Sequence, residues 1–218
     1  KDGDFTMVYG YPGGTNRYET SYGVKLKVDI DNPSLVNLRD VRLKCMYAEM
    51  IKDPAVKLQI GSSYAQIANY WKFFDGEAKQ LVKLGVLEQK KKAEADFESW
   101  AASNPEYMNL FNVIKATYDN WRPYAKHRMY IIEGINGSPL LAHAASLKSL
   151  ENILANQNAK PEEKAATIAS VNHAHDAFLK GENKASDKNI VAAVIRMFYN
   201  DIDASERPAD FFTWMKNA

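Results

Sequence analysis

From about residue 32 onward, apolar residues recur every three or four positions, the spacing of amphipathic helices, and this holds almost to the end of the chain. Asn32-Pro33 reads as an N-cap followed by proline at the first helical position, and Leu38, Val41 and Cys45 follow at helical spacing. Asp53-Pro54 repeats that signature. Ser62 or Ser63 offers a further cap for a helix from Tyr64 to Leu84, which Gly85 stops. Leu87 to Ala102 is rich in lysine and glutamate, with Phe97, Trp100 and Ala101 as its apolar side. Asn104-Pro105 opens the next segment, where Leu110, Ile114, Tyr118 and Trp121 form a stripe and Arg122-Pro123 marks a place to kink before Met129 to Ile132. Leu147, Leu150 and Leu154 mark another helix. Lys160-Pro161-Glu162-Glu163 starts one whose first-turn acids suit the helix dipole, and Gly181 ends it. Ser186-Asp187 opens a helix with Ile190, Val194, Met197 and Phe198 inward, and Arg207-Pro208 leads into a last short one ending in Trp214. The expectation is roughly seven to nine helices in an antiparallel assembly with short connections. No period of about 30–50 residues stands out, which argues against a solenoid.

Residues 1–28 follow another regime, with five of the eleven glycines. Phe5-Thr6-Met7-Val8-Tyr9 is β-rich and runs into turn residues at Gly10-Tyr11-Pro12-Gly13-Gly14. A lone strand needs partners and an apolar face to be stable. Tyr22 to Val28 alternates and supplies one candidate partner, or a helix. The predicted fold class is therefore mainly α, a multi-helix antiparallel assembly with a short β/turn segment at its N-terminus.

Composition narrows the function classes. The 218 residues carry 28 basic and 27 acidic side chains, a net charge of +1, with 46% apolar and 25% charged residues, which is ordinary for a globular chain of one or two domains. Such balance argues against a dedicated nucleic-acid surface. No apolar run approaches the roughly 18–20 residues of a membrane span. The single cysteine, Cys45, forbids an internal disulfide and a cysteine-based zinc site. The chain starts at Lys1 without a leader-like segment, and its first residues read as the middle of a structure, so we expect a piece of something longer.

Several strings suggest chemistry. Gly10 to Arg17 is glycine-rich, but it lacks the Gly-Lys-Ser/Thr ending of a phosphate loop and reads as a tight turn. In Gly134-Ile135-Asn136-Gly137-Ser138-Pro139 the nucleophile position of a Gly-x-Ser-Gly-x-Pro peptidase string holds Asn136, and Ser138 comes two residues late, so the string reads as a loop. The histidines are His127, His143, His173 and His175. The last two lie about 200° apart on a helix, no His-x-x-x-His exists, and no metal site or cofactor is expected. Gln89 to Asp96 reads as a solvated face of mixed charge pairs. In Ser62 to Lys72, helical spacing puts Tyr64, Ile67, Ala68, Trp71 and Phe74 on one stripe. Asn69 lies opposite, near Gln66 and Phe73, where an amide among aromatics can orient a polar ligand. The plain alternative is a helix packed on both faces with Asn69 satisfied by a neighbour.

Two strings together resemble a known family. Gly10-Tyr11-Pro12-Gly13-Gly14-Thr15-Asn16-Arg17-Tyr18, followed about 45 residues later by Ser63-Tyr64-Ala65-Gln66-Ile67-Ala68-Asn69-Tyr70-Trp71-Lys72, is similar to the bacterial dipeptidyl-peptidases seven and eleven, chymotrypsin-type serine exopeptidases. The resemblance implies a double β-barrel with a helical domain inserted between its halves. Residues 1–28 then correspond to a terminal barrel segment and 29–218 to the inserted capping and substrate-recognition domain. It implies that Asn69 holds the substrate's free α-amino group. It also implies that the catalytic His, Asp and Ser lie in barrel segments outside this stretch, so no residue here is catalytic and the piece alone is expected to be inactive. The implied partners are a peptide with a free N-terminus and the rest of the barrel, with room for a homodimer in the parent enzyme. The implied location is the periplasm or cell surface of a Gram-negative bacterium. Phe73-Phe74 departs from the family pattern, which has a polar residue after Trp-Lys. The rival expectation is a free-standing helical interaction module without a catalytic role.

Overall fold

The computed structural model describes residues 2–7, 9, 14, 16–210 and 213. Among them it contains nine α-helices, two π-helical segments and one 3-10 turn, and no strand. Thr20 caps α1 (Ser21–Leu26) by accepting from the Gly23 amide. The chain then passes through a π segment (Lys27–Asp31) directly into α2 (Asn32–Met50), so 21–50 is one continuous helical rod. Next come α3 (Pro54–Lys83), α4 (Val86–Ala101) and α5 (Leu110–Met129), which passes through Pro123 and runs on into a second π segment (Tyr130–Ile135). The short helices α6 (Pro139–Ser146) and α7 (Lys148–Ala155) precede α8 (Pro161–Gly181), α9 (Lys184–Asp201) and the 3-10 turn Ala204–Glu206.

The predicted punctuation is confirmed where it is local. Asp53 caps α3 by accepting from the Ala55 amide at 2.8 Å. Gly85 ends α3 and leads into α4 with φ +59°, a left-handed geometry that side chains disfavour. At the start of α8 the Lys160 amide donates to Glu163 Oε2 at 3.0 Å, so a first-turn acid satisfies one free amide of the helix end.

Other expectations need correcting. Asn32 is no N-cap: it lies inside the rod, 2% exposed, and its Nδ2 donates to Glu77 Oε2 at 2.9 Å on α3. Pro33 has no N–H to give, and the π segment just before it absorbs the missing bond by shifting to an i→i−5 pattern, as in Asn32 N to Lys27 O. Ser62 and Ser63 cap nothing, because α3 runs unbroken for 30 residues, about 45 Å. Tyr22 to Val28 is helical, held by Thr20 and by Glu94 of α4, which accepts from the Ser21 amide and hydroxyl. Of the β-rich N-terminal run, the described residues 2–7 are irregular or turn and form no strand, and Phe5 is 89% exposed. A strand is made by its neighbours, and the described residues offer none. Val8, Gly10 to Gly13 and Thr15 lie outside the described residues, as do Phe211, Phe212 and Trp214, so the expected last helix ending in Trp214 does too.

The core forms where α2 and α3 pair along their length and α9 and the second π segment pack on α2. Leu38, Met46, Ile60, Tyr130, Ile190, Val194, Phe198 and Ile202 are its buried members. Helix α1 rests on α4 and α5. The α6–α8 group is thinner, contributing no fully buried residue from its helices. It is tied to α3 where Gln59 Nε2 donates to the Glu182 carbonyl at 2.7 Å.

Gly134 shows how closely the π segment approaches α9. A Cβ there would stand 2.6 Å from Val194 Cγ1 and 3.4 Å from Leu38 Cδ2. Gly134→Ala is expected to cost about 1–3 kcal/mol of unfolding free energy in urea denaturation. Adding Val194→Ala should cost less in that background than in wild type. Strictly additive losses would show that Val194 is not what the new methyl meets.

Candidate functional site: the outer face of α3 and the cavity beside it

The inward stripe of α3 lies as its spacing predicts. Tyr64, Ile67, Ala68, Trp71 and Phe74 are all half-buried. Tyr64 meets Tyr47 of α2 at 6.4 Å between ring centres, and with Ala68, Trp71, Leu43 and Lys72 these rings line a groove of about 340 Å³. Asn69 is exposed, as are Gln66, Tyr70 and Phe73. At 100° per residue these four fall within one arc of about 100°, a polar and aromatic strip facing out. The Asn69 side chain has no hydrogen-bond partner among the described residues, so both its carbonyl and its amide are available.

Phe73 stands one helical turn beyond Asn69, about 6 Å along the axis. It packs edge-on against Phe74 at 5.3 Å, and Phe74 stacks on Tyr70 at 6.2 Å. The Arg39 guanidinium from α2 lies over both the Tyr70 and Phe74 rings, 5.3 and 5.5 Å from their centres. The aromatic pair at 73–74 therefore serves as a packed, cation-backed shelf below Asn69.

Beyond the shelf lies a cavity of about 650 Å³. Its walls include Phe73, Phe74 and Glu77 of α3, Asp31 and Asn32 of the rod, and Gly14, Asn16 and Arg17 of the N-terminal segment. The fold thus brings the end of the glycine-rich string to the end of the Ser63–Lys72 string. The Arg17 carbonyl accepts from Lys90 Nζ, and Lys27 pairs with Glu19 at 3.0 Å. Acidic and basic side chains alternate around this cavity, so it is not a field of one sign.

Asp31 stands out within it. Its Oδ1 is buried without a partner, and burial pushes the carboxyl above the usual carboxylate range, against the pull of Arg128 and Lys27.

Ser138 is a buried helix cap. It is 1% exposed, its Oγ donates to Asp187 Oδ2 at 3.0 Å, and it accepts from the Leu141 amide as the N-cap of α6. No histidine is among its hydrogen-bond partners. Cys45 is half-buried against the core, and burial pushes its thiol up, away from the reactive thiolate. What spacing did not reveal is a pairing of His143 with His175 across two helices, and a buried set formed by Arg39, Arg42 and Glu133. No group of three or more metal-ligating side chains occurs among the described residues.

A family model described as Peptidase S46 matches residues 1–216. The chain belongs to the peptidase S46 family. It is 37% identical over 157 residues to an Asp/Glu-specific dipeptidyl-peptidase of Flavobacterium psychrophilum, an alignment covering 70% of this chain and 22% of that protein. It is 29% identical to a dipeptidyl-peptidase 7 of Phocaeicola vulgatus over 99% of this chain and 30% of the relative. A dipeptidyl-peptidase 7 of Porphyromonas gingivalis is 26% identical over 97% of the chain and 29% of its own length. The chain thus spans less than a third of these S46 relatives.

The Asp31 carboxyl gives a pH test of the cavity wall. Because the fold holds its proton more tightly than the unfolded chain does, Asp31 supports the fold in acid. That support is withdrawn as pH rises through the raised range. Asp31→Asn is expected to melt higher than wild type at pH 7, with the gap closing toward about pH 4. A variant melting lower at pH 7 would show that Arg128 and Lys27 outweigh burial.

Proposed function

We propose that the chain is the helical substrate-recognition and cleft-capping domain of a secreted serine dipeptidyl-peptidase that removes dipeptides from peptide N-termini. The observation that carries this is the outward strip of α3, where Asn69 stands exposed beside Gln66, Tyr70 and Phe73 on a 30-residue helix. The family membership and the dipeptidyl-peptidase names of the relatives support it. Residues 1–28 are then a segment leading from the barrel, and 29–218 the insertion. The parent would act in the periplasm or at the cell surface; no helix among the described residues is long and apolar enough to cross a membrane.

In this reading the domain positions and does not cut. Acyl transfer from peptide to a serine, with an oxyanion hole beside it, belongs to the barrel. The Asn69 carbonyl accepts from the substrate's ammonium group, a charge-assisted bond, while the aromatic shelf and the closed end of the cleft limit how much peptide precedes the scissile bond. A chain with its amino terminus at the right depth is held and a longer one is excluded, which turns binding energy into orientation. The rival reading as a free-standing interaction module is disfavoured by the peptidase match, which spans nearly the whole chain.

The test uses the full-length enzyme. Asn69→Ala is expected to lower kcat/KM for dipeptide release from free-amine substrates by about 10–100-fold, the range of one lost charge-assisted hydrogen bond. The same substitution should leave the melting temperature within about a degree, since the side chain is exposed. An unchanged kcat/KM would remove Asn69 from the site.

A further inference from the structure

The fold joins two histidines that the sequence keeps 32 residues apart. His143 Nε2 of α6 lies 3.0 Å from His175 Nδ1 of α8. The His143 ring lies flat on Phe178, 4.4 Å between centres at 9°, and Phe178 also flanks His175 at 6.4 Å and 33°. The phenyl ring sets the plane of one imidazole and limits the swing of the other. His173, also on α8, points to another side by its spacing and belongs to no such pair.

At 3.0 Å, either one nitrogen accepts a proton from the other, or both turn their lone pairs to a shared metal ion. Metal–imidazole bonds of about 2.0–2.1 Å place two neighbouring nitrogens about 2.9 Å apart at a right angle and about 3.4 Å apart at a tetrahedral one. The observed separation is that of an ordinary N–H···N hydrogen bond and also close to the right-angled case, and among Cu²⁺, Ni²⁺ and Zn²⁺ it is Cu²⁺ that binds imidazole nitrogen most tightly.

We propose that His143 and His175 form a two-imidazole site for a tetragonal divalent metal ion, Cu²⁺ above all, that clamps α6 to α8. With no third protein ligand grouped there among the described residues, water fills the other positions. The clamp falls where it has the most to add. Helices α6, α7 and α8 bury no side chain fully, so little apolar core holds them together. A ligand that binds the folded state alone raises its stability by mass action.

The experiment titrates Cu²⁺, Ni²⁺ and Zn²⁺ into the full chain, freed of any purification tag and stripped of metal, and follows heat release and melting temperature. One equivalent of Cu²⁺ is expected to bind more tightly than Ni²⁺ or Zn²⁺ and to raise the melting temperature. Electron paramagnetic resonance of the adduct should show nitrogen coupling from two imidazoles. His175→Gln, at an exposed position, should weaken Cu²⁺ binding at least tenfold, His143→Gln likewise, and His173→Gln should leave it unchanged. Failure of stoichiometric binding overturns the proposal and leaves the pair as a hydrogen bond. So does Cu²⁺ affinity that survives His175→Gln in a variant with wild-type circular dichroism.

Discussion

The carboxylate of Glu133 holds the domain in register. It sits in the second π segment and receives Arg39 on one oxygen and Arg42 on the other, both from α2, with all three side chains largely buried. Arg42 also reaches the Glu133 carbonyl at 3.3 Å, so the main chain as well as the side chain is fixed. Burial and the neighbouring Arg39 charge pull the Arg42 guanidinium down from its ordinary value, while Glu133 and, more weakly, Asp187 hold it up. Two cations and two anions thus share one low-dielectric region and cancel. Such a set gives little net stability over an apolar equivalent, but any other register would leave a charge buried alone, at a cost of about 3–5 kcal/mol. With the π segment pinned, Tyr130 enters the core and its hydroxyl donates to Asp201 at the end of α9. Gly134 lies where only hydrogen fits against Val194.

How much of this was legible follows the range of the interactions. Caps and stops act over three or four residues. Asp53-Pro54, Gly85 and the start of α8 at Lys160-Pro161 could therefore be read from their own letters. Asn32-Pro33 uses the same letters with another outcome, because the cap grammar assumes that proline begins a helix. Here a π turn supplies the slack and the rod continues, freeing Asn32 to bond Glu77, 45 residues away. Tyr22 to Val28 satisfied both periods, and Glu94 on another helix decided between them. The β-rich Phe5 to Tyr9 run illustrates the opposite limit: strand propensity without a neighbouring edge yields no strand among the described residues.

At the candidate site, the angular position of Asn69 was legible because a helix converts sequence spacing into direction without help from the rest of the fold. What surrounds the arc was not. Arg39 over Tyr70 and Phe74, or Gly14, Asn16 and Arg17 in one cavity wall with Glu77, depend on where α2 and the N-terminal segment land. Ser138 is the complementary case. Its loop-like string hid a buried cap, because the acid that accepts from it, Asp187, comes 49 residues later.

These two scales meet at Arg39. One face of its guanidinium closes the ion set on Glu133 and the same group lies against the Tyr70 and Phe74 rings. The charge that fixes the π segment in the core is therefore also the backing of the aromatic shelf beside Asn69. Asn69 sits sixteenth of thirty residues in α3, far from fraying ends, with its helix held by the inward stripe on one side and the Asn32–Glu77 bond below. A side chain that must meet a substrate group within a fraction of an ångström gains from such a mounting, since helices braced by buried contacts place their residues more reproducibly than loops do. If the outer face of α3 meets the amino terminus of a peptide, its placement is set by a buried carboxylate some sixty residues further along the chain. It needs no side chain that itself touches the substrate.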